Sequence, residues 1–540
     1  MIFNWFKKQA LVRKGLSCGK SRRQSRETDW RDWFECSGLA RWGLLFLACL
    51  AFARIGSWSS DAPLSEIAVL SAMLVAISLF ILPLAVREVW KNNHLLLLML
   101  LCLITNLILN ILLRNYAKEL KVDEESIAAL LVPTALAPML VTILISPSAG
   151  FVTAFMVALL SNLFMQSNPG TFLSSLLTGF AAAQLSQGIR RRSDLMMAGA
   201  KVGLVGLACT LLIWLARALS TDSLDDLPVL ALVAESVWAI ALGVATSFVV
   251  GAILPILEWL FDRITDISWV ELADLKHPLL KRLAEEAPGT YHHSLNVANL
   301  AESAAEAIGA NPTQCRVCSY FHDIGKLDKP QYFAENMSSG QEPHSQLAPS
   351  MSALIIISHV KQGVDLALKA GLRQPVIDVI KEHHGTSLVY YFYKRAMQQQ
   401  EDARAGGKIL KLREEDIPEV DPRSFSYPGP IPQTKESAIV SLADAVESGS
   451  RSLRTVTTQR IESLVKEIIK HRVQDGQLDE SQLTFNEISV ISERFTFTLK
   501  NMLHARIEYP KIKREPAARD KDLQPAKPLS DLNPQAAKSV

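Results

Sequence analysis

The stretch Ser319-Tyr320-Phe321-His322-Asp323-Ile324-Gly325-Lys326 sets an imidazole beside a carboxylate. These are two metal-ligand types on one short segment, and the carboxylate can bridge two ions while the imidazole holds one. A lone His-Asp pair says little, since a surface pair or a capping aspartate is spelled the same way. Its company changes the reading. Eight of the eleven histidines lie between His277 and His384, several on segments with the apolar spacing of amphipathic helices.

Working outward from that pair, residues 293–309 carry Leu295, Val297, Leu300, Ala301, Ala304, Ala305 and Ile308 at helical spacing and end at Gly309. Asn311-Pro312 caps the helix that delivers His322 and Asp323 and stops at Gly325. Further helices are predicted from Pro349 to Ala370 with His359, from Pro375 to His384, from Lys435 to Leu453 with Asp444, and over 457–474 and 487–506. The polar segment from Gln398 to Pro422 reads as a solvent-exposed insertion. No strand pattern competes, so this half is all-α. The candidate metal ligands are His293, His322, Asp323, His359, His383, His384 and Asp444, drawn from five predicted helices or helix ends, as a site in a bundle core requires. Adjacent helical residues point about 100° apart, so His383 and His384 cannot ligate equivalently.

The rest of the chain is of another kind. Of 540 residues 49% are hydrophobic and mean hydropathy is positive, which points to a membrane part. The net charge of +2 gives no ground for binding a nucleic-acid polymer. Seven scattered cysteines are no disulfide framework, and Cys315 and Cys318 read as small residues packed beside the His-Asp segment. Apolar runs near 40–56, 64–86, 94–113, 126–146, 149–166, 171–188, 199–219 and 228–253 are of spanning or near-spanning length, two short ones in the middle being open to a re-entrant reading. The count is therefore seven or eight. Arg87, Lys91 and Arg190 to Arg192 fall in loops on the inner side of an eight-span topology, and Asp222, Asp225 and Asp226 on the outer side. Arg114, Lys118 and Lys121 run against that pattern, although Glu119, Asp123, Glu124 and Glu125 accompany them. With Glu235 the exception, the spans hold few charges, so they read as an anchor and signal receiver rather than a transport path. The predicted divisions are a basic cytoplasmic segment (1–39), the spans (40–255), a helical connector (256–287), the soluble bundle (288–509) and a disordered tail (510–540).

The pattern of His293, His322 with Asp323, and Asp444 resembles the HD-domain phosphohydrolase superfamily. The strings Ala287-Pro288-Gly289-Thr290-Tyr291-His292-His293-Ser294, Tyr332-Phe333-Ala334-Glu335-Asn336, His383-His384-Gly385-Thr386 and Tyr427-Pro428-Gly429-Pro430, behind a multi-span region, resemble the seven-transmembrane HD-domain family of membrane-bound cyclic di-AMP phosphodiesterases. The Gly-Tyr-Pro signature of the cyclic di-GMP hydrolases is lacking. The resemblance implies two divalent ions, iron or manganese with zinc also open. One ion would take His293, His322, Asp323 and Asp444, and the other Asp323, His359 and His383 with His384 at its edge or on the substrate phosphate. A mononuclear site would leave His359 and His383 surplus. Lys326 is placed to neutralise the scissile phosphodiester, and Tyr291, Tyr391 and Tyr393 are candidates to stack on adenine. The implied reaction opens a cyclic dinucleotide to its linear 5′-phosphorylated form at the inner face of a bacterial plasma membrane, with the lipid bilayer as second partner and a homodimer left open. Family members carry a large extracytoplasmic domain after the first span. Here only about Ser57 to Pro63 separate the first two, so any signal enters through the bilayer, a partner or the N-terminal segment. The competing readings are a catalytically silent nucleotide-sensing HD module, a transporter with a regulatory domain, and another nucleotide phosphohydrolase.

Overall fold

The computed structural model describes residues 30–59, 63–119, 133–165, 169–220, 229–337, 342–410, 419–453 and 455–504. Most of the basic N-terminal segment, the C-terminal tail, the Asp222–Asp226 loop and the Lys121–Glu125 stretch lie outside these residues. Among the described residues every element is helical, apart from one isolated bridge between Leu388 and Ser426.

The membrane half is built from α1 (Trp30–Cys36), α2 (Gly38–Ser59), α3 (Leu64–Ala85), α4 (Arg87–Lys91), α5 (Asn93–Glu119), α6 (Leu136–Leu144), α7 (Pro147–Met165), α8 (Pro169–Leu185), α9 (Arg192–Ser220) and α10 (Val229–Phe261). Six of these, α2, α3, α5, α7, α9 and α10, are long and apolar enough to cross a bilayer, and the 17-residue α8 is near that length. A seventh helix of that character, Pro349–Ala370, belongs to the other half and delivers His359 to the site, so its apolarity serves the bundle core.

The run expected as one helix over 126–146 differs. Residues 120–132 lie outside the described set, and the next helix has nine residues, about 14 Å at 1.5 Å per residue and half a hydrocarbon core. Pro133 stands ahead of that helix, outside any element, and has no N–H to give. Its exposed backbone groups are satisfied from α5: Asn106 donates to the Pro133 carbonyl at 3.0 Å and accepts the Ala137 N–H at 3.1 Å. Irregular backbone at membrane depth needs such protein partners.

Contacts fix which helix ends share a face. The Arg263 guanidinium donates to the Leu144 carbonyl at 3.4 Å, joining the ends of α6 and α10. Asn110 donates to Ser161 at 3.0 Å, pairing the far portions of α5 and α7. Asn93, at the start of α5, accepts from Arg41 at 3.2 Å and donates to the Phe34 and Ser37 carbonyls. The starts of α2, α5 and α7 therefore lie on the face from which the soluble half leaves, together with Arg41, Arg87, Lys91, Arg190, Arg191 and Arg192.

The expected connector proves to be part of both halves. Helix α10 continues to Phe261, beyond the expected boundary, because Leu254 and Leu257 still pack into the membrane core. The next two helices, α11 (Asp266–Leu272) and α12 (Pro278–Glu286), bury Trp269, Leu279 and Leu280 in the soluble core. That core is completed by α13 (Pro288–Ile308), α14 (Pro312–Phe321), α16 (Gln374–Glu382), α18 (Lys435–Ser450), α19 (Thr458–Gln474) and α20 (Phe485–His504). Helices α15 (Pro349–Ala370) and α17 (Tyr390–Leu410) share a smaller cluster around Phe392 and Phe425. Cys315 and Cys318 are fully buried in the main core, as small residues of the helix that follows Asn311-Pro312, and burial pushes both thiols up.

Candidate metal centre

Helix ends, rather than helix middles, aim much of the site. Pro312 opens α14 behind Asn311, whose side chain accepts the Gln314 N–H at 3.0 Å, and the helix closes at Phe321. His322 is its C-cap, and Asp323 is the N-cap of the tight 3-10 turn Ile324–Asp328, so neighbours in sequence can face one point. His383 stands at the end of α16, where Gly385 turns the chain at φ +55°. His293, His359 and Asp444 come from within α13, α15 and α18.

The seven predicted ligands meet in two groups that share one residue. His293, His322, Asp323 and Asp444 form one, and Asp323, His359, His383 and His384 the other, with the ligating atoms of each within 4.8 Å of one another. Asp323 turns one oxygen to each: Oδ2 lies 3.4 Å from His293 Nε2 and 3.2 Å from His322 Nε2, while Oδ1 lies 3.3 Å from His359 Nε2 and 3.8 Å from His383 Nε2. Asp444 Oδ1 is 3.0 Å from His293 Nε2, and its Oδ2 is 3.6 Å from His384 Nδ1. All are buried except His384, which keeps 18% of its side chain exposed.

The outer nitrogens fix the tautomers. His322, His359 and His383 direct Nδ1 at the carbonyls of Ser319 (2.6 Å), Ile356 (2.6 Å) and Ile380 (2.9 Å). A carbonyl only accepts, so these Nδ1 atoms carry a proton and Nε2 is the nitrogen that faces inward, where it offers a lone pair once its own proton is gone. His293 differs, its Nδ1 lying 2.5 Å from the Glu447 carboxylate, which Asn296 and Arg451 hold in turn.

A divalent cation fits this arrangement. His293 Nε2, His322 Nε2 and Asp323 Oδ1 are buried without a hydrogen-bond partner, and the His359 and His383 Nε2 atoms face each other at 3.3 Å with no proton between them. Electrostatics agree. Burial works to lower His293 and His322, but the adjacent carboxylates of Asp323 and Asp444 outweigh it, holding His293 well above the usual imidazole range and His322 up at about 9. Burial works to raise Asp323, yet the charges of Lys326 and His322 keep it well below the carboxylate range; His293 and His322 do the same for Asp444. Burial pushes His359, His383 (to about 3) and His384 down, so the second group is neutral imidazole.

Lys326 lies at the rim, 2.7 Å from Asp323 Oδ2 and 2.7 Å from Glu335 Oε1. The three tyrosines offered as adenine-stacking candidates lie elsewhere: Tyr291 packs beside Leu283 and Leu327, Tyr393 against Phe425, and Tyr391 is 70% exposed. The aromatic rings found at the ligands include Tyr427, stacked on His384 with centroids 4.2 Å apart, and Phe333, edge-on to His359 at 5.8 Å. Sequence reading also missed Glu447, although its place one helical turn after Asp444 on α18 puts both on one face. Glu335 and Tyr427 stood inside the family-like strings without a role.

Two comparisons with known families cover most of the chain: a family described as a 7TM receptor with intracellular HD hydrolase matches residues 61–265, and the HD domain matches 290–449. The chain belongs to the seven-transmembrane HD hydrolase family. It is similar to the protein named cyclic-di-AMP phosphodiesterase PgpH in Bacillus subtilis (strain 168), 34% identical over 82% of this chain and 60% of the relative. The Listeria monocytogenes protein of that name is 37% identical over 71% of this chain and 50% of the relative. The chain thus spans half to three-fifths of the length of these curated relatives. A crystal structure described as the L. monocytogenes PgpH HD domain in complex with cyclic-di-AMP is 41% identical, covering 42% of this chain and 98% of that one, with a TM-score of 0.38.

Proposed function

We propose that this chain is a membrane-anchored, metal-dependent phosphodiesterase that opens cyclic di-AMP to linear pApA. The single observation that carries the reading is the position of Asp323, one oxygen toward each of two histidine sets. A mononuclear site has no use for the second set. His293, His322, Asp323 and Asp444 would hold one ion and Asp323, His359, His383 and His384 the other; imidazole and carboxylate without thiolate suit iron or manganese, with zinc also compatible. Divalent ions bound there supply a nucleophilic water at neutral pH and charge stabilisation of the phosphoryl oxygens. The protein's own part is positional. Lys326 holds positive charge at the rim, between Asp323 and Glu335, where a phosphate would enter. His384, partly exposed and braced by Tyr427, presents its ring on the substrate side. The relatives' names favour the cyclic di-AMP substrate. The shared face of α1, Arg87, Lys91 and Arg190 to Arg192 with the soluble half supports placing both that half and the N-terminal segment in the cytoplasm.

Full-length protein in detergent, supplied with manganese or ferrous iron, tests this with cyclic di-AMP and cyclic di-GMP side by side. We expect pApA from the former, loss of turnover and metal in His322→Ala and Asp323→Ala, and neither effect in His344→Ala, whose ring bonds the Tyr332 carbonyl away from the ligand groups. Tight binding of cyclic di-AMP without hydrolysis would establish the silent-sensor reading instead.

A further inference from the structure

Among the described residues, Lys and Arg side chains near the site are committed to carboxylates, with one exception. Lys326 is bound to Asp323 and Glu335, and Arg451 to Glu447. Arg472, in the last turn of α19, is partly buried, and among the described residues its guanidinium makes neither a hydrogen bond nor an ion pair.

Its backbone is fixed over the histidine loop. Gln477 donates its N–H to the Arg472 carbonyl at 3.0 Å, accepts the Thr386 N–H at 2.9 Å and donates to Thr386 Oγ1 at 2.9 Å. Gly385 lies so near that a Cβ there would stand 2.2 Å from Gln477 Oε1. Arg472 is therefore tied to the turn that carries His383 and His384. The charged or ionisable groups near it are Asp444, Tyr427 and Asp475, none at ion-pairing distance, and burial works against its charge. A desolvated guanidinium without a partner is costly until an anion arrives, and its planar fork matches two oxygens of a phosphate.

A cyclic dinucleotide carries two phosphodiesters, of which only one can lie at Asp323 while it is cleaved. We propose that Arg472 binds the other, uncleaved phosphate and so favours substrates with two phosphodiesters over those with one. This rests on the phosphodiesterase reading above.

The test compares the full-length manganese-loaded wild type with R472Q and R472K on cyclic di-AMP and on bis(p-nitrophenyl) phosphate, which has a single phosphodiester. Removing binding made equally in ground and transition states raises KM and spares kcat. The expected result is a rise of about 10- to 100-fold in KM for cyclic di-AMP in R472Q, the range of one charge-assisted contact, and a loss of kcat/KM at least tenfold larger than on the single diester. R472K, which keeps charge but not the fork, should fall between. Equal losses on both substrates, or an unchanged KM for cyclic di-AMP, would overturn the assignment. Should R472Q not fold, R472K decides: a KM raised severalfold supports it and a wild-type KM overturns it. A wild type that cleaves the single diester but not cyclic di-AMP would instead defeat the functional reading, and the Arg472 assignment with it.

Discussion

Gly325 lies against the backbone of His359: a Cβ built on Gly325 would stand 1.8 Å from the His359 carbonyl oxygen and 2.5 Å from the Gly363 nitrogen. This approach brings the Asp323 turn onto α15, and with it Asp323 Oδ1 to 3.3 Å from His359 Nε2. Gly325→Ala must push two backbones apart. The expected result is a fall from two bound ions per chain toward one, with activity down by at least about 100-fold, on the scale that an ångström of misplacement costs. Elemental analysis of purified protein checks it; two ions retained would show that the contact does not set the second group.

Glu447 is the only carboxylate that backs a ligand histidine among the described residues; the other anchored rings use carbonyls. Glu447→Gln is expected to weaken the tighter manganese-binding step about 10- to 100-fold, the usual effect of removing such a support, and Arg451→Gln to weaken it less. Titration against a competing chelator measures both. Unchanged affinity in Glu447→Gln would place the residue outside the metal's support.

Metal binding should release protons. Without a cation, His322 holds its proton up to about 9, and His293 is raised in the same sense. Below that pH an incoming ion must displace protons, so apparent affinity rises as pH increases from 6 toward 9 and falls as pH is lowered. Calorimetry at pH 7.5 in two buffers of different ionisation enthalpy should give different apparent heats. Identical heats would contradict this.

Lys326→Met leaves Glu335 without its ion-pair partner and Asp323 with only the His293 and His322 rings for counter-charge. Breaking one side of a buried ion pair costs about 3–5 kcal/mol, and that loss is expected in metal-free protein by chemical denaturation. A bound cation compensates Asp323, so metal should recover part of it. A loss below about 1 kcal/mol would mean water already screens the pair.

Most of this architecture was legible because its signals are local. Seven or eight apolar runs followed by a polar, helical half are visible in composition, and every ligand in the two groups stood in a motif or on an apolar helix. The features that escaped depend on three-dimensional contact. The apolar run 126–146 reads straight through Pro133, and only Asn106, on another helix, shows how broken backbone is tolerated at that depth. The charged look of 256–287 suggested a connector, whereas Trp269, Leu279 and Leu280 bury it in the soluble core. Tyrosines were named for their chemistry, yet the one stacked on a ligand, Tyr427, arrives by a turn more than forty residues along the chain from His384. Arg472 sits in an ordinary amphipathic helix and only its neighbours make it unusual.

The count and coupling of bound ions test the central claim most directly. Manganese-loaded full-length protein should hold two ions per chain and give the electron paramagnetic resonance signature of a magnetically coupled pair, lost in Asp323→Ala. One ion per chain, or two uncoupled ions indifferent to Asp323→Ala, would contradict a centre bridged by Asp323.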